Sequence, residues 1–276
     1  MLPVTTGRVS PPRPEVRIDE RVSSNVGGHA PVTAAPKEPK RAPRARAGRG
    51  RPSREGSRAD GLATRKRVYD VALALFRKRG FAKTTMRDVA EAAGLSLGAA
   101  YYYFPSKDAI VLAYYDSTHE EHAAIARAVF ARSSDLSERL RAVFVGKLDV
   151  VAKDRKMLGA LFRSAGDPDD PLSVFGRRTK EVRDRNVGLF TEALDVPEVP
   201  ADVREAAGPM LWLAHLALLL ALAHDRSSAQ TATRAKAEAF VDLVAVLLRL
   251  ASLPQAAPVR AVAIAKLRDA GLVDPS

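Results

Sequence analysis

Apolar residues recur at helical spacing along most of the chain from residue 61 onward, and no segment shows the alternation of a strand. This pattern predicts an all-α fold. The first predicted helix spans 61–80, with Val68, Ala72, Leu75 and Phe76 on its inner face. Further helices are predicted over about 106–130, from 135 onward, through 157–162, and over about 172–194, 201–224, 229–252 and 256–270.

Two short helices joined by a tight turn are predicted between Thr84 and Phe104. Thr85 and Ser96 each precede a helical run and can cap it, because a hydroxyl oxygen accepts from the free N–H groups of a first turn. Gly94 can adopt the left-handed conformation that ends a helix. This arrangement is typical of a helix-turn-helix, which places its second helix in a DNA major groove. A helical hairpin inside an all-α enzyme is the alternative.

The second of these helices is rich in small residues. Gly98, Ala99 and Ala100 would let its backbone approach either DNA or the preceding helix closely. Three tyrosines follow, and their hydroxyls are of the kind that contacts phosphates.

The first 60 residues are rich in Pro, Arg, Ser and Gly and hold few large apolar side chains, so we predict that they are disordered. Within them, Gly48–Pro52 resembles the core of an AT-hook, which would lay Arg49 and Arg51 in a narrow minor groove. An arm that binds phosphates without sequence preference is an equally supported alternative.

The positive charge of the chain is concentrated at one end. The net charge is +12, to which residues 1–60 contribute +7 and residues 61–108 contribute +5, while residues 109–276 are neutral. A basic excess confined to one module is the electrostatic signature of a nucleic-acid binder.

Composition limits the other possibilities. The chain has no cysteine, so disulfides and Cys-based zinc sites are excluded. The N-terminus lacks the apolar core of a signal peptide. The most apolar run, Met210–Ala223, is shorter than the roughly 20 residues that a membrane span needs. We therefore expect a cytoplasmic, nucleoid-associated protein without a membrane segment.

The region from about Arg65 to Ala113 resembles the DNA-binding domain of the TetR family of bacterial transcriptional regulators. The residues that carry the resemblance are Ala72, Phe76, Gly80, Phe81, Thr84-Thr85, Asp88-Val89-Ala90, Ala93-Gly94-Leu95-Ser96, Gly98, Tyr101, Tyr103-Phe104 and Ser106-Lys107. The resemblance implies a three-helix DNA-binding domain over 61–108, with its motif at about 85–104, and a helical effector-binding and dimerisation domain over 109–253. Residues 254–276 are then an extension with a possible short helix.

The resemblance also implies roles for individual residues. Thr85, Ser96, Tyr101 and Lys107 would contact phosphates, and Thr84 is grouped with them. The side chains that would face base edges are Leu97, Ala99 and Tyr102. Leu97 departs from the polar or basic residue that is frequent there, and apolar side chains can contact a thymine methyl but form no bidentate hydrogen bonds.

Two late helices predict self-association. Met210–Ala223 is apolar on all sides, and such a helix must be buried all round. The last long helix presents a broad apolar face. A two-fold dimer that packs the helices at 201–224 and 229–252 into a four-helix bundle satisfies both, and the resemblance implies the same. An intramolecular core helix is the alternative.

By resemblance, a small molecule would enter the second domain and change the spacing of the two DNA-binding heads. The candidate lining residues are Met157, Leu158, Phe162, Phe175, Phe190, Trp212 and His215. Each of these residues is more often plain core than part of a pocket wall. The helix around Trp212 lacks a charged cluster, which indicates an apolar or aromatic effector.

We therefore predict a dimeric, ligand-responsive repressor of a near-palindromic operator in double-stranded DNA. An architectural DNA-binding protein without an effector is the alternative. No nucleophile elbow, HExxH motif, phosphate loop or Cys nucleophile is present, so we expect no enzyme and no cofactor. His119 and His122 have a spacing that suits a metal, but we favour a solvated polar face and predict no metal site.

Overall fold

The computed structural model describes residues 54–165, 167 and 169–273, and these residues form helices and loops without a strand. The segment that contains Arg49 and Arg51 lies outside the described residues, so the AT-hook prediction remains a prediction. The fold class is all-α, as the apolar periodicity predicts.

Three helices form an N-terminal head: α1 (Arg54–Arg79), α2 (Met86–Ala92) and α3 (Leu97–Tyr103). Their shared core is fully or almost fully buried and is built from Val68, Ala72, Phe76, Val89, Ala100 and Phe104. Leu75 is only partly buried, and Leu73 is buried in its place. The predicted inner face is therefore confirmed at three of its four positions.

Helix α1 begins at Arg54 rather than at residue 61, so the disorder predicted for the first 60 residues is wrong for residues 54–60. The side chains of residues 58–60 are exposed. This first part of the helix has no apolar stripe to reveal it, but Arg, Glu and Ala are good helix formers and the helix starts just after Pro52.

Seven further helices follow the head in the described residues. They are α4 (Lys107–Phe130), α5 (Leu136–Val151), α6 (Arg155–Ala165), α7 (Lys180–Ala193), α8 (Ala201–His224), α9 (Thr231–Ser252) and α10 (Ala257–Asp269). Ser106 caps α4 by accepting from the N–H of Ala109 at 3.1 Å, and Asp135 caps α5 through the N–H of Glu138 at 2.8 Å. These caps agree with the helix starts predicted at about residues 106 and 135.

Helix α7 begins at Lys180, not near Leu172 as predicted. Residues 172–179 form turns held by side chains that hydrogen-bond to nearby backbone. The Thr179 hydroxyl donates to the carbonyls of Ser173 and Gly176 at 2.6 and 3.1 Å, and the Asp170 carboxylate accepts from the N–H of Leu172 at 2.8 Å. Such local bonds compete with the helical ladder, which explains the later start.

The head and the helical bundle share one apolar cluster. It runs from the head core through Ile110 and Tyr114 of α4 to Leu148 of α5 and Leu158 of α6. A second cluster lies farther from the head, where Phe144 packs against Phe190 and Phe240 with ring centroids 5.1 Å apart in each pair. Helix α4 reaches both clusters and therefore connects the head with the distal bundle.

Helix α8 is long and apolar enough to cross a membrane by length and composition alone. In this structure it packs against α6, α7 and α9, and it contributes Leu211, Trp212 and Leu219 to the apolar clusters. It is not buried all round: Leu213 and Leu220 are exposed. The complete burial predicted for Met210–Ala223 is therefore not reached within a single chain.

Candidate DNA-binding face and buried cavity

The turn between α2 and α3 is built by three local devices. Thr85 accepts from the N–H of Asp88 at 3.1 Å while the Asp88 carboxylate accepts from the N–H of Thr85 at 2.8 Å, which completes a capping box. The Thr85 hydroxyl, which donates to the same carboxylate at 2.7 Å, and the Thr85 N–H hold the pKa of the Asp88 carboxyl below its usual value. Gly94 has a φ of 65°, and Ser96 accepts from the N–H of Ala99 at 3.2 Å. The predicted helix-turn-helix geometry is confirmed.

Helix α3 and its cap residue carry five of the ten residues predicted to contact DNA. Ser96, Leu97 and Tyr101 are exposed, Tyr102 is 83% exposed, and Ala99 is partly exposed. On the opposite side, Ala100 and Phe104 are buried. Helix α3 therefore has one face free for a partner and one face anchored in the head.

Gly98 lies on the outer side of α3. A Cβ added there would meet no heavy atom within 4 Å. The absence of a side chain is therefore not needed for packing against α2 within the described residues. Close approach of Gly98 to DNA remains a prediction.

The prediction for Thr84 is wrong. Its side chain is completely buried, and its hydroxyl donates to the carbonyl of Gly80 at 2.9 Å. Thr84 therefore stabilises the link between α1 and α2 and has no free hydroxyl for a phosphate. Two neighbours that the sequence analysis left out, Lys83 and Arg87, are exposed on either side of Thr85. In the sequence, their positive charge beside a predicted helix cap is the feature that could have indicated further phosphate contacts.

Lys107 is engaged within the head. Its Nζ donates to the carbonyl of Phe81 at 2.9 Å and lies 4.5 Å from the centre of the Phe81 ring. An ammonium has three donors, so this contact leaves others for a phosphate. The phosphate role of Lys107 remains a prediction, and its contact with Phe81 adds a structural role that the sequence analysis missed.

The bundle encloses a cavity of about 90 Å³ between α4, α5, α6, α7 and α8. Four of the seven predicted ligand residues line it: Leu158, Phe162, Trp212 and His215. The other three do not. Met157 and Phe190 are buried in the apolar clusters, and Phe175 is about half exposed, with its ring edge-on to Trp212 at 5.9 Å. The sequence shows which residues are apolar or aromatic. It does not show which face of each helix borders the cavity.

The cavity also contains polar groups, of which Lys147 is the most unusual. It is 6% exposed, and its Nζ donates to the carbonyl of Thr118 at 3.1 Å. Burial lowers the pKa of the ammonium to about 8, against a smaller opposite effect of Glu121. Lys147 lies one helical turn from Val143 and from Val151 on the buried stripe of α5. In the sequence, a lysine on an otherwise apolar stripe is the feature that could have indicated a buried cation.

Histidines of α4 and α8 are buried near this lysine. Burial lowers the pKa of His122 to about 3, and burial together with the Lys147 charge holds the pKa of His215 well below its usual value. Their rings stack 6.5 Å apart. The solvated polar face predicted for His119 and His122 is therefore wrong, because both side chains are buried where α5 and α7 pack against α4. Among the described residues, no three His, Cys, Asp or Glu side chains form a metal cluster.

One hydrogen-bonded chain joins the cavity to the head. Tyr114 lines the cavity, and its hydroxyl donates to Asp154 at 3.1 Å. Asp154 is buried and also pairs with Arg77 of α1. Burial raises the pKa of the Tyr114 hydroxyl far above its usual value, so it stays protonated and remains a donor. Three side chains thus connect a cavity wall to the helix that supports the DNA-binding face.

Comparison with known proteins gives a consistent assignment. A family model described as bacterial regulatory proteins, tetR family, matches residues 68–114. The chain is 33% identical over 159 residues to the probable HTH-type transcriptional regulator ArpR of Pseudomonas putida. That match covers 53% of this chain and 74% of the relative.

Solved structures share the fold. GusR of Salmonella enterica superposes with a TM-score of 0.53 at 21% identity, covering 68% of this chain and 95% of that one. FadR of Thermus thermophilus, a TetR-family repressor solved with lauroyl-CoA, has a TM-score of 0.50 at 24% identity, with 68% and 94% covered. On the helix-turn-helix geometry, the matched family model and the ArpR relationship, the chain belongs to the tetR family of bacterial regulatory proteins and is a helix-turn-helix transcriptional regulator.

Proposed function

We propose that this protein is a homodimeric repressor that binds a near-palindromic operator in the cytoplasm and leaves it when a small molecule occupies the bundle cavity. The observation that carries the proposal is Tyr114, which faces the cavity and donates to the carboxylate that Arg77 of α1 also binds. A ligand that moves Tyr114 changes the support of α1. For release, the ligand must bind the DNA-incompetent state more tightly than the DNA-bound state.

The exposed face of α3 provides the proposed DNA contacts. Tyr102 and Leu97 face the base edges, with Ala99 between them, while Ser96 and Tyr101 contact phosphates. Thr85 and Lys107 add phosphate contacts from the neighbouring helix ends. Phosphate contacts fix the register of a protein on the duplex, and base contacts select the sequence.

An uncovered apolar surface on α8 and α9 supports the homodimer. The side chains that form it are Leu213, Leu220, Leu243, Val246, Leu247 and Leu250, all exposed in the single chain. A contiguous exposed apolar surface of this kind marks a protein contact. A two-fold dimer through these helices would cover the surface and place two recognition helices on successive half-sites of an operator.

The effector-free architectural protein is less well supported than the repressor. Such a protein gains nothing from a cavity that contains buried polar groups, because burying these groups costs stability. A same-fold repressor was solved with a bound acyl-CoA, which supports ligand binding within this architecture.

The test is selection of bound duplexes from a random DNA pool by the full-length protein at physiological salt, followed by a screen for compounds that release the selected duplex. We expect a near-palindromic consensus and at least one releasing compound. Binding of all duplexes with equal affinity would favour the architectural function instead.

Sedimentation of the wild type and of Leu247→Glu tests the dimer, because a charge on the uncovered surface should yield monomers.

A further inference from the structure

A buried lysine lines the cavity, and the more distant Glu121 only partly offsets the cost of burying its charge. Lys147 is 6% exposed, and its Nζ reaches the carbonyl of Thr118. No carboxylate of the described residues forms an ion pair with it, whereas buried Asp154 is paired with Arg77. A buried charge without a partner is costly, and an ammonium has three donors, of which the Thr118 carbonyl occupies one.

A second polar group with free hydrogen-bonding capacity lines the same cavity. His215 is 2% exposed, and neither of its ring nitrogens has a hydrogen-bond partner among the described residues. Next to the Lys147 charge the imidazole is neutral, so it offers one N–H donor and one acceptor. Buried polar atoms normally have partners, so the two groups together indicate a ligand that supplies them.

The rest of the cavity wall is mostly apolar. Trp212, Phe162, Leu161, Val151 and Leu219 line it alongside Lys147 and His215. Arg183 also borders the cavity, but its guanidinium donates to the carbonyls of Val174 and Gly176. A ligand that fits this lining has an apolar body and one acceptor group that carries negative charge. The apolar or aromatic effector predicted from the sequence accounts for the wall but not for the ammonium.

We propose that the cavity binds an amphipathic organic monoanion, an aliphatic or aromatic body with a single carboxylate, whose oxygens accept from Lys147 Nζ and from the ring N–H of His215. This inference rests on the proposed function in that it takes the cavity as the effector site. A charge-assisted hydrogen bond in a closed cavity is stronger than a neutral one, which makes Lys147 the residue that selects acids over neutral compounds.

Trp212 provides the readout, because it lines the cavity and is the single tryptophan of the chain. The probes are two matched pairs, phenylacetate with 2-phenylethanol and octanoate with 1-octanol, titrated into the full-length protein at pH 7. We expect each acid to change Trp212 emission with an affinity about tenfold or more above that of its alcohol.

Two variants and a control isolate the charge. Lys147→Met and Lys147→Gln should abolish the preference for the acid while leaving the affinity for the alcohol unchanged, and the Gln variant keeps a donor for the Thr118 carbonyl. Lys156→Met removes an exposed cation from α6, the helix that carries Leu158, and should behave as the wild type. His215→Phe should weaken binding of the acids less than either Lys147 variant.

Three results would overturn the inference: equal affinity for acid and alcohol in the wild type, an acid preference that survives both Lys147 variants, or no response to either acid up to about 10 mM. DNA release is measured separately with the selected duplex. Acids that bind through Lys147 without releasing DNA would leave this inference intact and contradict the effector part of the proposed function. Release of DNA by neutral compounds alone, without binding of the acids, would contradict this inference and leave the effector part of the proposed function intact.

Discussion

The head and the bundle place their polar groups on opposite sides of their cores. In the head, the apolar positions point inward and the predicted DNA contacts Ser96, Tyr101 and Tyr102 point outward. In the bundle, Lys147 and His215 line a cavity, and His122 is buried beside His215. The head therefore presents polar groups on its surface, whereas the bundle buries polar groups at a cost in stability.

The largest expected effect is a loss of the head core. Phe104→Ala removes a fully buried ring that stacks on Tyr69 at 6.4 Å, and it should lower the free energy of unfolding by about 3–5 kcal/mol. Urea unfolding checks this value. Phe144→Ala, which opens the distal cluster, should cost a similar amount and is the matched variant. A cost below about 1 kcal/mol for either would mean that its core is not packed as described.

Lys147→Met should have the opposite sign and raise the free energy of unfolding at pH 7 by about 3 kcal/mol. The folded pKa of Lys147, about 8, lies below the 10.5 of the unfolded chain. The unfolded state therefore binds more protons between these values, and the stability of the wild type should rise with pH across that window. Glu121 opposes the shift, and the neighbouring His215 is neutral.

Urea unfolding at pH 7 and at about pH 10 measures this effect, and the advantage of Lys147→Met should shrink at the higher pH. Lys156→Met, at an exposed position, should change stability little at either pH. A destabilised Lys147→Met would mean that the lysine supports the fold rather than a ligand.

A smaller effect on stability is expected at Tyr114, where a variant also tests whether the cavity is coupled to the head. Tyr114→Phe removes the hydroxyl that donates to Asp154 and should cost about 1.5–3 kcal/mol, because the lost bond was to a charged group. It should also weaken the release of DNA by any compound found in the release screen. Tyr115→Phe is the control: its hydroxyl also borders the cavity but donates to the carbonyl of Leu172. Equal loss of release in both variants would contradict the proposed route.

Substitution of two glycines of the head by alanine should have smaller and clearly different effects. Gly94→Ala places a side chain at a φ of 65° and should cost about 1 kcal/mol of stability, measured by thermal unfolding. Gly98→Ala meets no neighbour and should leave stability unchanged or slightly raised, yet lower the affinity for the selected duplex. Unchanged affinity for Gly98→Ala would show that DNA does not approach this part of α3.

The smallest change in stability is expected for Tyr102→Ala, within about 0.5 kcal/mol, because the side chain is 83% exposed. Its effect should be on sequence preference, seen as an altered consensus in the duplex selection. Lys107→Ala is the contrast: it should weaken all duplexes similarly and reduce the salt dependence of binding, besides losing the contact with Phe81. An unchanged consensus for Tyr102→Ala would remove it from the base-contacting set.

The head was readable in advance because its signals are local. The caps at Thr85, Ser96 and Ser106 and the left-handed Gly94 each depend on residues within one or two turns, so the residue types alone define them. The all-α class and the ends of α8 follow in the same way from periodicity and flanking residues. The buried Thr84 was misjudged because its burial depends on the contact between two helices rather than on its neighbours.

The cavity could not be derived along the chain. It is formed by side chains from five helices, and its buried cation, Lys147, becomes unusual only when α4 and α8 remove it from water. Met157 and Phe190 have the same apolar character as Leu158 and Phe162, and only packing decides which of them faces the cavity. Local hydrogen bonding and periodicity are determined by short stretches of residues. Burial, and with it the electrostatics of a site, arises from contacts between distant segments, which is why it required the tertiary structure.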